Sequence, residues 1–257
     1  MTASALALLL CLAVPAAAAE PPRTSAYDRS ELSEFNDLYK NGRYEEALEG
    51  YKGVIAQQPA NPRALYNAGN ALFRLNRQGP AILYYSRAFA LDPRSTDIRA
   101  NLDYALRQTG QTLVPDAVPA ALHYVYYLLS DTELRAAALL FFWLACLVGA
   151  AGFLLDGSPS GKAAGSAAGV FAALLLLSLA WYGARVTTSP FSSAGVVVKA
   201  GGARMLSGPG DNFKTYASAP EGRLVRILDS TDDNYFEIGL QKEGIKGWAL
   251  KSEVEKL

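Results

Sequence analysis

AAALLFFWLACLVGAAGFLL (136–155) and AAGSAAGVFAALLLLSLAWYGA (163–184) carry no charged residue and are separated only by DGSPSGK (156–162). Runs of 20 and 22 residues are long enough, as helices, to cross a hydrocarbon layer of roughly 30 Å. They predict a transmembrane α-hairpin within 135–185, which returns the chain to the side it came from. A soluble part before it and a soluble part after it then share one compartment. Ser130 and Glu133 predict a capping box opening the first span. Tyr124, Tyr126 and Tyr127 precede that span and Trp181 with Tyr182 ends the second, placing an aromatic belt on one membrane face. Apart from Cys146 no side chain in either span ionises, so the hairpin alone offers no ion or proton path. Gly161, Gly165 and Gly169 recur every four residues, either for close helix contact or as ordinary glycines near a loop.

Orientation is set by the start of the chain. Ser4 to Ala19 is apolar and ends in small residues at Ala17 and Ala19, which fits a signal peptide at 1–19 with the mature chain from Glu20. No Lys or Arg precedes the run, so an uncleaved anchor helix is the alternative; both send residue 20 onward across the membrane. Lys162 in the hairpin loop against Arg135 and Arg185 at its other end favours the reverse orientation, but single charges bias topology weakly.

The 24 basic and 24 acidic residues cancel, leaving no basic field for nucleic acid. Two cysteines, Cys11 and Cys146, supply neither a disulfide framework nor a metal site. The one histidine, His123, sits among the membrane-entry tyrosines and reads as an interfacial polar residue rather than a ligand or base. Asp232 and Asp233 read as a solvated turn. With no nucleophile or metal set, an enzyme is excluded and no cofactor is expected.

Residues 28–109 repeat at an offset of 34. Leu38 matches Leu72, Ala47 matches Ala81, Tyr51 matches Tyr85, Val54 matches Ala88 and Pro59 matches Pro93. That is the tetratricopeptide period, in which each repeat is two antiparallel helices. Small Ala47 and Ala81 permit close approach, the tyrosines fill the gap between repeats, and the prolines stop the second helix. Leu65, Ala68, Gly69 and Leu72 complete the second repeat's signature, whereas the first has Phe35 where the glycine belongs, predicting a different spacing of its helix pair. Thr96 to Gln108 reads as half of a third repeat, capping the stack with Arg99, Asp103 and Arg107 on a polar outer side. The segment 24–109 thus resembles an all-α tetratricopeptide domain. The repeat register lines its concave surface with Asn36, Tyr39 and Lys40, then Arg63, Tyr66, Asn67, Asn70 and Arg74, then Asn101 and Arg107. Amides can bond both donor and acceptor of an extended peptide, and arginines can fork a carboxylate; a solvated helical face is the plainer alternative. Leu32 and Tyr66 stand where carboxylate-clamp repeats carry a basic residue, which argues against a dedicated C-terminal clamp.

Residues 110–134 read as a short linker, GQTLVPDAVP (110–119), and an interfacial stretch, Ala120 to Leu129. In 188–257, Ala194–Lys199, Gly222–Leu228, Asn234–Leu240 and Gly247–Ala249 read as strands. ARMLSGPGDNF (203–213) resembles the bacterial SH3 signature, a strand running into a Ser-Gly-Pro turn, and implies a small all-β barrel closed by Trp248, Val254 and Leu257. Phe213, Tyr216 and Tyr235 are its candidate ligand surface, with Trp248 and Phe236 read as core.

Signal, repeat stack, hairpin and SH3-like module, together with NLDYAL (101–106), resemble the E-type protein of the Bacteroides aerotolerance (Bat) group. The resemblance implies an inner-membrane adaptor with periplasmic domains, acting beside von Willebrand-type membrane proteins and a MoxR-type ATPase. The leading expectation is therefore a non-catalytic scaffold that binds protein partners at a lipid bilayer. The rival is a protein that binds or senses peptidoglycan through the SH3-like module.

Overall fold

The computed structural model describes residues 26–257 apart from 116–117, 190, 192–193 and 241–242, with side chains from Leu32 onward except that of Thr188. The expected signal at 1–19 lies outside the described residues. Five helices come first: α1 (Ala26–Lys40), α2 (Tyr44–Gln57), α3 (Pro62–Arg74), α4 (Gln78–Leu91) and α5 (Thr96–Gln108). Asn61 accepts from the backbone N–H of Arg63 and Ala64, with Pro62 at the first helical position, and Ser95 caps α5 through Ile98.

The 34-residue period extends to the turns. Gly42, Asn76 and Gly110 are each 34 apart, and all have left-handed φ, of 79°, 58° and 70°. At each, two bonds tie off the preceding helix. The N–H groups of Gly42, Asn76 and Gly110 donate to the carbonyls of Tyr39, Phe73 and Arg107, and those of Arg43, Arg77 and Gln111 donate to Leu38, Leu72 and Leu106. So α5 is a true third first-helix, ended by the same device as α1 and α3.

Phe35 replaces the expected glycine, and the room is recovered on the facing helix. A Cβ at Gly50 would lie 2.1 Å from the Phe35 ring, and the repeat's next copy reverses the sizes with Gly69 and Tyr84. A Cβ on Gly69 would meet the Tyr85 ring at 2.7 Å.

In place of a second helix for the third repeat, the chain folds back over α5. Leu113 is buried in the repeat core, its N–H donating to Asp103, and α6 (Ala120–Tyr126) lies against the same helix. The outer side of α5, expected to be a polar cap, is therefore partly covered. Arg99 lies over the rings of Phe89 and Tyr124.

The hairpin is α7 (Asp131–Leu154) and α8 (Pro159–Thr188), packed along their length. Both outrun the expected spans, because Ser130 and Ser158 cap them early. The capping box is present: Ser130 Oγ accepts from Glu133 N–H at 3.2 Å, and Glu133 accepts from Ser130 N–H at 2.8 Å. Both helices are long and apolar enough to cross a membrane, and few of their residues are buried within the protein. Of the three periodic glycines, only Gly161 sits at a close approach, a Cβ there falling 2.2 Å from Leu155 O; Gly165 and Gly169 face open space. Gly152 faces the other helix closely, since a Cβ there would fall 3.1 Å from Gly165 N and 3.3 Å from Gly161 O.

The last part is an antiparallel sheet of β1 (Ala194–Val197), β2 (Ala203–Leu206), β3 (Thr215–Ala219), β4 (Leu224–Asp229), β5 (Tyr235–Leu240), β6 (Ile245–Leu250) and β7 (Val254–Lys256), in the order β3-β2-β6-β5-β4-β1-β7. The expected barrel is not closed, since β3 and β7 are edges. The buried Glu253 carboxylate, just before β7, accepts from Lys199 and from the backbone N–H of Arg204 in β2. Phe236 and Val254 join the core with Val197, Met205 and Ile238. Trp248 does not: alternation along β6 turns Gly247 and Ala249 inward and leaves Trp248 half-buried opposite Glu237 and Leu206. Leu257 packs on the repeat core instead.

The soluble parts are fused. Val196 is buried in the repeat core, and a Cβ on Gly79 of α4 would fall 2.4 Å from Val197 O. Gly79 N–H donates to Glu221 at 2.9 Å. The Gln111 side chain donates to Gly222 O and accepts from Leu224 N–H, each at 2.9 Å, acting as an extra strand residue. Arg87 donates to Glu255 and to Lys256 O, which covers the β7 edge. Both soluble parts thus sit at the same end of the hairpin.

Candidate peptide-binding groove

The first helices of the repeats carry a hydrogen-bond unit that recurs with the fold. Tyr51 donates its hydroxyl to Asn36 Oδ1 at 2.7 Å, and 34 residues on Tyr85 donates to Asn70 Oδ1 at 2.7 Å. Asn67 donates to that same Asn36 oxygen at 2.9 Å, and 34 residues on Asn101 donates to the Asn70 oxygen at 2.9 Å. Each asparagine oxygen takes two bonds, one from the second helix of its own repeat and one from the first helix of the next. The unit therefore staples three helices at a time. Burial pushes the Tyr51 phenol up to about 12, and raises that of Tyr85 further, so both remain neutral donors.

Asn36, Tyr39, Lys40, Asn67 and Asn70 come together with Tyr51 around a depression of about 370 Å³. The asparagine oxygens form its floor and are already engaged. The groups above the floor are Tyr39, whose phenol is raised mainly by burial, and Lys40, which pairs with Asp37 at 2.9 Å. Arg74 borders it, its guanidinium 4.7 Å over the Tyr44 ring, while Tyr44 meets Tyr39 edge-on at 5.2 Å. Tyr66 and Asn101 belong to the next unit, joined by a bond of 2.9 Å. Arg63 is exposed at the start of α3, and Arg107 is exposed and paired with Asp103 at 2.8 Å. Tyr51 is a wall residue that the repeat register alone does not mark, and Tyr44 stands behind Tyr39. The 34-residue match of Tyr51 with Tyr85 is the available signal, but a match at one offset does not reveal a partner 15 residues away.

On the sheet, Tyr235 is buried and donates to Asp211 at 2.9 Å, which raises its phenol and pins the loop 207–214. Phe213 of that loop lies on Gly208, where a Cβ would meet the ring at 2.5 Å, and stays partly exposed. Tyr216 is exposed with its hydroxyl over Gly247. Phe213 and Tyr216 thus present surface, and Tyr235 presents support.

The joint between stack and hairpin departs from the aromatic belt expected there. Tyr127 is buried, in contact with Phe89, Phe191 and His123 at ring distances of 5.1, 6.4 and 4.8 Å. His123 is buried rather than interfacial, its Nδ1 accepting from Arg99 at 3.1 Å. Arg185 lies 4.7 Å over the Tyr127 ring and pairs with Asp131 at 2.9 Å, while Trp181 donates to Tyr126 O.

Residues 32–96 match the model of the tetratricopeptide repeat. The match covers α2, α3 and α4 and the described side chains of α1, which carry both Asn–Tyr pairs, while Asn101 of α5 lies beyond it. Tetratricopeptide repeats are protein-interaction modules, so this part of the chain has a protein–protein interaction role, and no catalytic family is indicated. No curated protein matches the chain. Among the described residues no group of three or more His, Cys, Asp or Glu is placed to hold a metal ion.

Proposed function

We propose that the chain is a non-catalytic, membrane-anchored adaptor whose tetratricopeptide groove holds an extended segment of a membrane-protein partner. The observation that carries this reading is the depression lined by Tyr39, Lys40 and Asn70 within the matched repeats, with Arg74 beside Tyr39. Its floor is held rigid by internal bonds while its rim offers aromatic and cationic groups. A pre-ordered floor lowers the entropic cost of holding a flexible segment. The two apolar helices act as the anchor, because so large an apolar surface is stable only against lipid or another protein. The order of parts, the NLDYAL run and the SH3-like reading of the sheet resemble the Bat E-type protein. On that resemblance the soluble face is periplasmic and the partners are von Willebrand-type Bat proteins.

The test is partner recovery from solubilised membranes by the full chain. Tyr39→Ala combined with Arg74→Glu is expected to cut recovery about tenfold or more, because both changes strike the rim and spare the Asn–Tyr staples. Undiminished recovery removes the groove from the account. A second reading, peptidoglycan binding, is favoured by the exposed Phe213 and Tyr216. It expects the full chain to sediment with purified sacculi and Phe213→Ala/Tyr216→Ala to remain in the supernatant.

A further inference from the structure

A second cavity of about 370 Å³ lies where repeat stack, hairpin and sheet meet, with a mostly apolar wall that includes Leu65, Phe89, Val186 and Leu257. Among the described residues, three buried side-chain polar atoms have no hydrogen-bond partner: Ser86 Oγ, Arg185 Nε and Asp131 Oδ1. All three belong to residues lining this one cavity. Asp131 Oδ1 meets Arg185 Nη2 as an ion pair at 2.9 Å, without the alignment of a hydrogen bond. Native proteins leave few such groups, since each unmet donor or acceptor costs about 1–3 kcal/mol. Three around one hollow mark a place whose polar complement is not supplied by the chain.

The chemistry of the lining narrows what supplies it. Ser86 and Arg185 are nearly fully buried and offer unmet O–H and N–H donors. Arg185 is paired with Asp131 and Arg87, also in the wall, with Glu255, so the charges are matched and what remains is the unmet donors, which suit an oxygen acceptor carried on an apolar body. Position narrows it further: Asp131 opens α7, and Arg185 and Val186 lie in the last turns of α8. On the membrane-anchored reading, on which this inference rests, that is the level of the lipid head groups. We propose that the cavity is a phospholipid site. The phosphodiester is held by Arg185 and Ser86, and the start of the acyl chains lies along the apolar wall.

The full chain, extracted from membranes in mild detergent, tests this by phosphorus assay and by thermal unfolding with added phosphatidylglycerol or inorganic phosphate. About one phospholipid should be retained per chain, and phosphatidylglycerol should raise Tm where inorganic phosphate does not. Ser86→Ala removes a donor and should weaken the lipid effect about tenfold. Ala90→Leu, which fills the cavity from its exposed edge, should abolish retention even if Ser86→Ala folds poorly. Three results overturn the proposal: no retained lipid, which leaves water as the occupant; an equal effect of inorganic phosphate; or lipid retention unchanged by Ala90→Leu. Alkaline extraction of the starting membranes separates the two readings. A chain released by alkali sinks the anchor itself, whereas an embedded chain without bound lipid sinks only the site.

Discussion

The repeat stack makes two seams, and they are built differently. Against the sheet, helix α4 brings glycine to backbone, and the exposed peptide groups are matched one by one through Glu221, Gln111 and Arg87. Against the hairpin, the contact is aromatic and ionic, with Tyr127, His123 and Arg185 stacked together and three polar atoms unmet beside them. A seam whose groups are all satisfied fixes one geometry, because any slip leaves buried peptide groups bare. A seam of stacked rings and an imperfect ion pair tolerates more than one packing. The sheet is therefore fixed on the stack by matched bonds, and the hairpin seam is the less fully satisfied of the two.

The largest effect expected at the sheet seam is that of Gly79→Val. A Cβ there falls 2.4 Å from Val197 O and 3.0 Å from Val198 Cα, both backbone atoms that cannot rotate away. In an exposed helix, replacing glycine would favour α4, so the sign separates contact from propensity. We expect a loss of about 3 kcal/mol, read as a lower Tm and as new protease cleavage near 110–119 in the full chain. An unchanged or raised Tm would mean that the sheet does not rest on α4.

Gln111→Ala tests the same seam by subtraction. It strips partners from Gly222 O and Leu224 N–H, both at 2.9 Å, without adding bulk. The expected loss is about 2 kcal/mol, with hydrogen exchange of the Leu224 amide speeding up while that of the β5–β6 ladder does not. If Leu224 stays protected, the amide bridge is incidental to the seam.

The two seams are not equally legible in the sequence. The stack is readable because its information is periodic: Leu38 with Leu72 and Ala47 with Ala81 announce themselves at a fixed offset. The hairpin is readable because composition alone sets it. Gln111 and Gly79 carry no such signal, since a glutamine in a linker and a glycine in a helix acquire meaning only when a strand more than a hundred residues away arrives beside them. The groove asparagines show a subtler gap. The register gives their places on the concave side but not their mutual bonds, because Asn36 and Tyr51 belong to helices whose relative rotation the period does not state. Size makes Trp248 look like core, and strand alternation overrules size. The barrel fails for a related reason: a signature loop specifies a hairpin, while closure depends on pairing between the distant edges β3 and β7, which no local motif states.

The hairpin seam is sharpened by pH, with the smallest effect of the three. Burial, and then the Arg99 guanidinium 3.1 Å from Nδ1, hold His123 below its ordinary value, while its hydrogen bond to the Leu113 backbone and the more distant Asp103 pull weakly the other way. Tyr127 packs on the same ring, its phenol raised mainly by burial, and Tyr124 lies under Arg99. The neutral ring accepts from Arg99 through Nδ1, and that acceptor is lost if Nδ1 takes a proton. The unfolded chain binds that proton as pH falls through about 6.5, before the folded chain does, so unfolding takes up protons there. The stabilisation from neutral His123 is complete above that value and declines as pH falls below it. His123 is the only histidine, which leaves the interval from pH 7.5 to 5.5 nearly free of other side-chain titrations. We expect Tm to fall by about 2 °C across it and His123→Gln to flatten the profile. If the variant keeps the wild-type slope, the imidazole does not hold the seam. If instead Tm rises on acidification, the ring is protonated in the folded chain, and Arg99 must lie farther from it than 3.1 Å.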